Sequence, residues 1–339
     1  MMNKSTNILM MIMLIFSVPL SISSNSWFTV WMGMEINMMA FLPMIIKTKN
    51  MISKESALTY FMTQTIASMI MMMSFIMLML NEKIININLN NTGELMLMSA
   101  LMMKSGISPF HFWMPKMMEG MNWNKCMILM TWQKITPMMM MSNIIKVNYL
   151  TMTAMIMSII IGAIGGLNQT SLRKLMAYSS ISNNGWMMLA MLISETTWMT
   201  YFMMYTIMTI IMTKSMNSYS INHMNQILTM NESQNKKMLL LINMLSISGL
   251  PPMMGFMPKW MVIQSTMTMN KLMLLGTMVI MTLITIYYYL RIMFSVLMLM
   301  NSQLKWNYKN INLNNNNIML MNTFSIMGML TITMVMSMY

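Results

Sequence analysis

Aspartate is missing from this 339-residue chain, and all seven acidic residues are Glu: Glu35, Glu55, Glu82, Glu94, Glu119, Glu195 and Glu232. Charged residues of both signs make up only 8% of the chain, against about 25% in a soluble domain. That is too few for a water-exposed surface, and no segment reads as a soluble domain. A single cysteine, Cys126, excludes an intrachain disulfide and leaves no thiolate set for zinc or an iron–sulfur centre. The two histidines, His111 and His223, cannot ligate a metal by themselves. No phosphate loop, dinucleotide fingerprint or nucleophile elbow is present, so no cofactor or metal site is expected.

What is there is apolar. Hydrophobic residues reach 57%, and 68 of the residues are Met. Met stands in for Leu and Ile almost at random, even in stretches such as 69–73. Packing does not ask for this, because Met is a flexible gap-filler. Abundant Met, Ile, Asn and Lys fit AT-rich coding in which an extra codon is read as Met, as in invertebrate mitochondria. The net charge of +13 could suggest nucleic acid, but the cations form no surface stripe. They fall mostly in short gaps between apolar runs, as topology determinants do.

A helix crosses the bilayer core with about 20 mostly apolar residues. The sequence predicts eleven spans, at 8–22, 27–46, 56–80, 95–113, 126–145, 149–167, 175–193, 196–213, 238–266, 272–299 and 318–338. The first is short and follows Lys4; it also fits a signal peptide's apolar stretch, although no clear small-residue cleavage site follows. The expected fold is an all-α membrane protein, 1–339, a single polytopic domain. Alternate gaps carry unequal charge. One side holds Lys4, Lys47, Lys49, Lys54, Lys116, Lys125, Arg173, Lys174, Lys214, Lys236, Lys237, Lys305 and Lys309; the other holds Lys83, Lys146 and Lys271. This bias predicts an N-terminus on the matrix-like or cytoplasmic side and a C-terminus opposite.

Four cations remain inside spans: Lys104, Lys134, Lys259 and Arg291, with Glu35 as the matching acid. Glu35 and Lys134 each lie about 12 Å into their spans, near the middle of a core about 30 Å thick, and Lys104 is about as deep. Ionised groups at that depth cost at least about 2.5–3.5 kcal/mol. Desolvation disfavours the charged form and a nearby opposite charge restores it, so moving one partner switches the other between holding and releasing a proton. That is the functional reading, a proton relay. Static salt bridges that fix packing are the structural one. Three lysines and one glutamate cannot all neutralise each other, which favours titratable lysines. Arg291 follows Tyr287–Tyr288–Tyr289 near a span's end, where it can snorkel to the interface.

Two spans are interrupted, at Lys104-Ser-Gly-Ile-Ser-Pro-Phe-His-Phe-Trp-Met-Pro-Lys116 and at Ser248-Gly-Leu-Pro-Pro-Met-Met-Gly-Phe-Met-Pro-Lys259. Shifted by 143 positions they match as Ser-Gly-[Ile/Leu]-x-Pro, then four residues, then Met-Pro-Lys. Proline breaks the helical ladder, and broken backbone survives at membrane depth only beside protein or a wet cavity. Paired broken helices mark the transport sites of repeat-built transporters; ordinary proline kinks are the bland alternative. Lys116 is the awkward partner, because it reads as a loop charge whereas Lys259 looks internal. His111 fits either contact with a water chain or a packed polar side chain. Residues 168–174 read as a polar turn, Ser179, Ser180 and Ser182 as groups that hydrate the interior or ease packing, and Gly162, Gly165 and Gly166 as packing positions.

The segments Trp31–Asn37, Lys104–Pro115, Thr131–Pro137, Asn168–Ser180 and Gly249–Trp260 together resemble a family of mitochondrially encoded, antiporter-like membrane-arm subunits of respiratory complex I, the NADH:ubiquinone oxidoreductase, in an arthropod-like form. The resemblance runs in order over nearly the whole chain. It implies an antiporter-like fold in the mitochondrial inner membrane, with other complex I membrane-arm subunits, lipids, protons and water as partners. FMN, iron–sulfur clusters and ubiquinone are then expected in other subunits. The family's proton-transfer residues carry over to Glu35, Lys104, Lys134 and Lys259. Animal members lack three N-terminal helices of the ancestral fold, in keeping with eleven spans rather than fourteen. At Ser182-Asn183-Asn184-Gly185 the sequence departs from the family, where His is frequent, which puts any relay role of such a His in doubt here. A freestanding cation/proton antiporter and a scaffold with static buried charges remain as alternatives.

Overall fold

The structure is a computed structural model that describes residues 4–46, 50–83, 87–228, 234–251, 253–267 and 272–298. The expected span 318–338 and the loop cations Lys47, Lys49, Lys271, Lys305 and Lys309 lie outside these residues. Among the described residues the chain is helical, with no strand beyond one isolated bridge. The helices are α1 (Lys4–Ile22), α2 (Trp27–Ile45), α3 (Met51–Lys83), α4 (Ile87–Ser105), α5 (Trp113–Gly120), α6 (Trp123–Met130), α7 (Trp132–Ile144), α8 (Tyr149–Gly166), α9 (Leu172–Ile193), α10 (Glu195–Ser218), α11 (Met224–Leu228), α12 (Gln234–Ser248), α13 (Phe256–Met267) and α14 (Leu272–Met298). The other ten expected spans each overlap one or two of these helices, although residues 106–112 of the fourth are not helical. Five helices, α1, α2, α3, α8 and α14, are long and apolar enough by themselves to cross a membrane.

The chain divides into two compact units, 1–154 and 155–339. In the first, α1 packs on α2, α3 on α4 and α5, and α7 on α4 and α1. The Trp132 indole of α7 donates to the Leu14 carbonyl of α1 at 3.0 Å. Gly33 allows α2 to approach α1: a Cβ there would stand 2.8 Å from that of Ser21.

In the second unit α9 is the central helix, with nearly all its residues from Leu172 to Met191 buried. It carries Ser179, Ser180, Ser182, Asn183 and Asn184 within an otherwise apolar run and is covered by protein along its length, which is where a membrane helix tolerates such residues. Gly162 and Gly165 of α8 seat α9, since a Cβ at Gly162 would meet the Ser182 nitrogen at 2.7 Å and one at Gly165 would strike the Tyr178 ring. Ser194 caps α10, accepting from the Thr197 amide at 3.2 Å, and Glu195 complements the positive helix end.

Both interrupted spans are broken as expected, but the first helix stops sooner than the apolar run. Helix α4 ends at Ser105, and Gly106 follows in the left-handed region at φ +73°. The Ile107 amide reaches back to Met102 and that of Gly106 to Met103, at 3.0 and 3.3 Å, a Schellman cap. Helix α12 ends in a similar way: Gly249 has φ +82°, and its amide donates to Ser246 at 3.1 Å. A third break was not expected. The span 126–145 divides at Thr131, whose φ and ψ of −110° and −71° separate α6 from α7.

Candidate functional site

Six helices of the first unit, α2 to α7, converge on one partly polar cavity. Its lining includes Asn37 from α2, Tyr60 and Gln64 from α3, Lys104 from α4, and Gln133, Lys134 and Pro137 from α7. It leaves about 20 Å³ for the centres of water molecules, where about 10–15 Å³ is enough for one. Lys134 is only 2% exposed. It sits on the first turn of α7, just after the Thr131 break and just before Pro137, which has no N–H to give the Gln133 carbonyl. Lys104 occupies the last turn of α4, where the negative end of the helix dipole favours a cation. Its ammonium donates to the Met34 sulfur at 3.4 Å.

Glu35 is half-buried on α2 and acts electrostatically on both Lys104 and Tyr60. It makes no direct ion pair with Lys104. The arrangement is thus an acid near a lysine that lines the cavity, rather than two groups locked in contact.

Lys259 belongs to the second unit and is 7% exposed. From α13 it reaches back across the break and donates to the Ser248 carbonyl, at the C-terminus of α12, at 2.7 Å. Gly249 makes room for it, because a Cβ there would stand 3.0 Å from the Lys259 nitrogen. Beside it, a second cavity is lined by Asn183, Tyr201, Tyr205, Thr209 and Pro258. The Tyr201 hydroxyl donates to Asn183 at 3.0 Å, and hydrogen bonds join Tyr205 to Ser180 and Tyr289 to Ser179.

The loose repeat has a geometric basis. Lys116, aligned with Lys259, is exposed, and Lys104 supplies the buried cation of the first break instead. Both Lys104 and Lys259 meet the C-terminal end of a half-helix, one from within it and the other from the next half-helix. His111 is buried, its Nδ1 3.3 Å from the Pro109 carbonyl and its ring 4.2 Å from that of Phe112, and it does not line the lysine cavity. Arg291 is exposed, as snorkelling requires. Sequence reasoning missed Asn37, Tyr60, Gln133, Asn183 and Tyr201, polar side chains whose partners lie on other helices. Among the described residues no group of three or more His, Cys, Asp or Glu converges.

Comparison with known proteins bears on this arrangement. The family model described as NADH:quinone oxidoreductase/Mrp antiporter, transmembrane, matches residues 24–285. NADH–ubiquinone oxidoreductase chain 2 of Anopheles gambiae is 45% identical over 98% of this chain and 99% of its own length. The protein of that name from Aedes aegypti is 46% identical, again over 98% and 99%. A chain of Thermus thermophilus respiratory complex I shares the fold, with a TM-score of 0.80 at 17% identity over 96% of this chain and 78% of that one. A chain of the Mrp complex of Dietzia superposes with a TM-score of 0.72 at 13% identity, over 84% and 59%. A helix-break geometry with buried lysines, on a sequence alike over nearly its whole length, leads to one assignment: the chain belongs to the NADH–ubiquinone oxidoreductase chain 2 family.

Proposed function

We propose that this chain is a proton-translocating membrane-arm subunit of NADH:ubiquinone oxidoreductase, and that Glu35, Lys104, Lys134 and Lys259 relay protons through it with intramembrane water. The observation that carries the reading is the shared cavity of Lys104 and Lys134, with Glu35 acting on Lys104 without an ion pair. A lysine beside space for water, near an acid that it does not contact, is able to lose and regain its proton. FMN, iron–sulfur clusters and ubiquinone belong to other subunits on this reading. The chain acts as one polytopic membrane domain, 1–339, in the mitochondrial inner membrane, with other membrane-arm subunits and lipids around it.

The matrix-side N-terminus rests on the charge bias, and contacts between loops support the grouping of the gaps into two faces. Lys125 donates to the Ile45 carbonyl at 3.5 Å, which joins two gaps assigned to the positive side. Lys146 pairs with Glu94 at 2.6 Å, joining two gaps of the opposite side. In the second unit the Leu172 amide donates to Asn222 and that of Met224 to Thr170, again between two positive-side gaps. An odd error in the number of spans between two such loops would put them on opposite faces.

Membership in the assembly is tested on a blue native gel of solubilised inner membranes. The chain should comigrate with NADH dehydrogenase activity in one large band. Migration apart from that activity would instead favour a freestanding cation/proton antiporter.

A further inference from the structure

One side chain in the lysine cavity ties three helices together. The Gln133 amide nitrogen donates to Asn37 Oδ1 at 2.9 Å, and its oxygen accepts from the Tyr60 hydroxyl at 3.4 Å. Asn37 stands on α2, Tyr60 on α3, and Gln133 on α7, one residue before Lys134. An amide neither gains nor loses a proton near neutral pH, so Gln133 cannot carry one. What it does control is position. The Thr131 break lies two residues before it, and Pro137 deprives its carbonyl of a helical donor, so the first turn of α7 is held by few backbone bonds. Side-chain bonds therefore count for more in placing that turn.

Helix α2 is also the element that meets Lys104, through Met34 and Glu35. A shift of α2 changes the surroundings of Lys104 and pulls on Gln133 in the same motion. We propose that Gln133 is a positioning residue for Lys134, and that its bond to Asn37 transmits the position of α2, and with it the state of Lys104, to Lys134. The inference rests on the proton-relay reading proposed above.

The test uses whole complex I carrying Gln133→Leu, Asn37→Leu or both, reconstituted into vesicles, with Lys134→Arg prepared in parallel. Protons pumped per NADH oxidised and the pH profile of pumping are read only on complexes shown to be assembled. Each single variant should lower pumping about fivefold, the scale of one neutral hydrogen bond, and should alter the pH profile. The double variant should be no worse than the poorer single, since both remove the same Gln133–Asn37 bond. Wild-type pumping by the assembled single variants, or losses that multiply in the double, would overturn the inference. Failure of both singles to assemble would overturn it too, by assigning the bond a structural role. If Lys134→Arg is impaired and Gln133→Leu is not, only this inference fails. If Lys134→Arg itself pumps normally, the relay reading has failed beneath it.

Discussion

Lys104 and Lys259 share a means of holding a cation away from water: each lies against the C-terminal end of a half-helix, whose last carbonyls have no intrahelical donor. That explains why the breaks and the lysines occur together. Both were legible in the sequence, because a Lys in an apolar run and a Gly–Pro interruption are local signals. The partners were not. Gln133 and Asn37 are 96 positions apart, and Tyr201 and Asn183 lie on different helices, so neither pairing leaves a trace in spacing. Glu35 was legible as a charge at depth, yet its relation to Lys104, near but not in contact, is a matter of geometry. That relation makes a prediction. Glu35→Gln keeps size and hydrogen bonding but removes the field at Lys104. It should leave the complex assembled and slow coupled turnover about fivefold, the effect of ~1 kcal/mol from a partly screened charge. Coupled and uncoupled NADH oxidation measured side by side would check it. Loss of assembly with normal pumping in the remainder would support the scaffold reading.

At the scale of elements, the two breaks are built on glycines that no other residue replaces cheaply. Gly249 combines φ +82° with a Lys259 nitrogen 3.0 Å from where a Cβ would lie. Gly249→Ala should destabilise the assembled complex by about 1–2 kcal/mol through left-handed strain alone, and should also slow pumping by displacing Lys259. Gly276 on α14 is the control, since a Cβ added there would meet nothing within 4 Å; Gly276→Ala should be neutral or slightly stabilising. Thermal inactivation of the two variants separates the cases. The positions of these breaks were read correctly because Gly, Ser and Pro punctuate them. The break at Thr131 escaped because no Gly or Pro precedes it. There the Thr131 hydroxyl bonds back to the Met127 carbonyl at 2.7 Å and the backbone departs from helical ψ. Apolar periodicity also overran the true end of α4, since the residues just after Ser105 stay buried without staying helical.

At the scale of the molecule, charge bias and loop contacts agree on topology. Cys126 is buried, so the unmodified chain gives little background to a thiol label. A membrane-impermeant maleimide applied to mitoplasts should reach Asn148→Cys, in an exposed loop of the side opposite the matrix. It should spare His223→Cys until the membrane is opened. The reverse pattern would refute the assignment of faces.

Proton flux through the assembled complex is where the central claim stands or falls, and Lys134→Arg tests it most directly. A relay needs a group at this buried position that can give up its charge, whereas a packing role needs only a fixed positive one. Arginine keeps the charge and does not deprotonate in proteins. The relay account predicts an assembled complex with impaired proton pumping and, through coupling, slowed quinone reduction. The static account predicts near-normal activity, with Lys134→Met the damaging change. The measurement is proton uptake by vesicles containing the purified variant complex, with assembly verified in the same sample. Pumping several-fold below wild type is the expected result. Pumping at the wild-type rate would show that Lys134 carries no proton and would contradict the account.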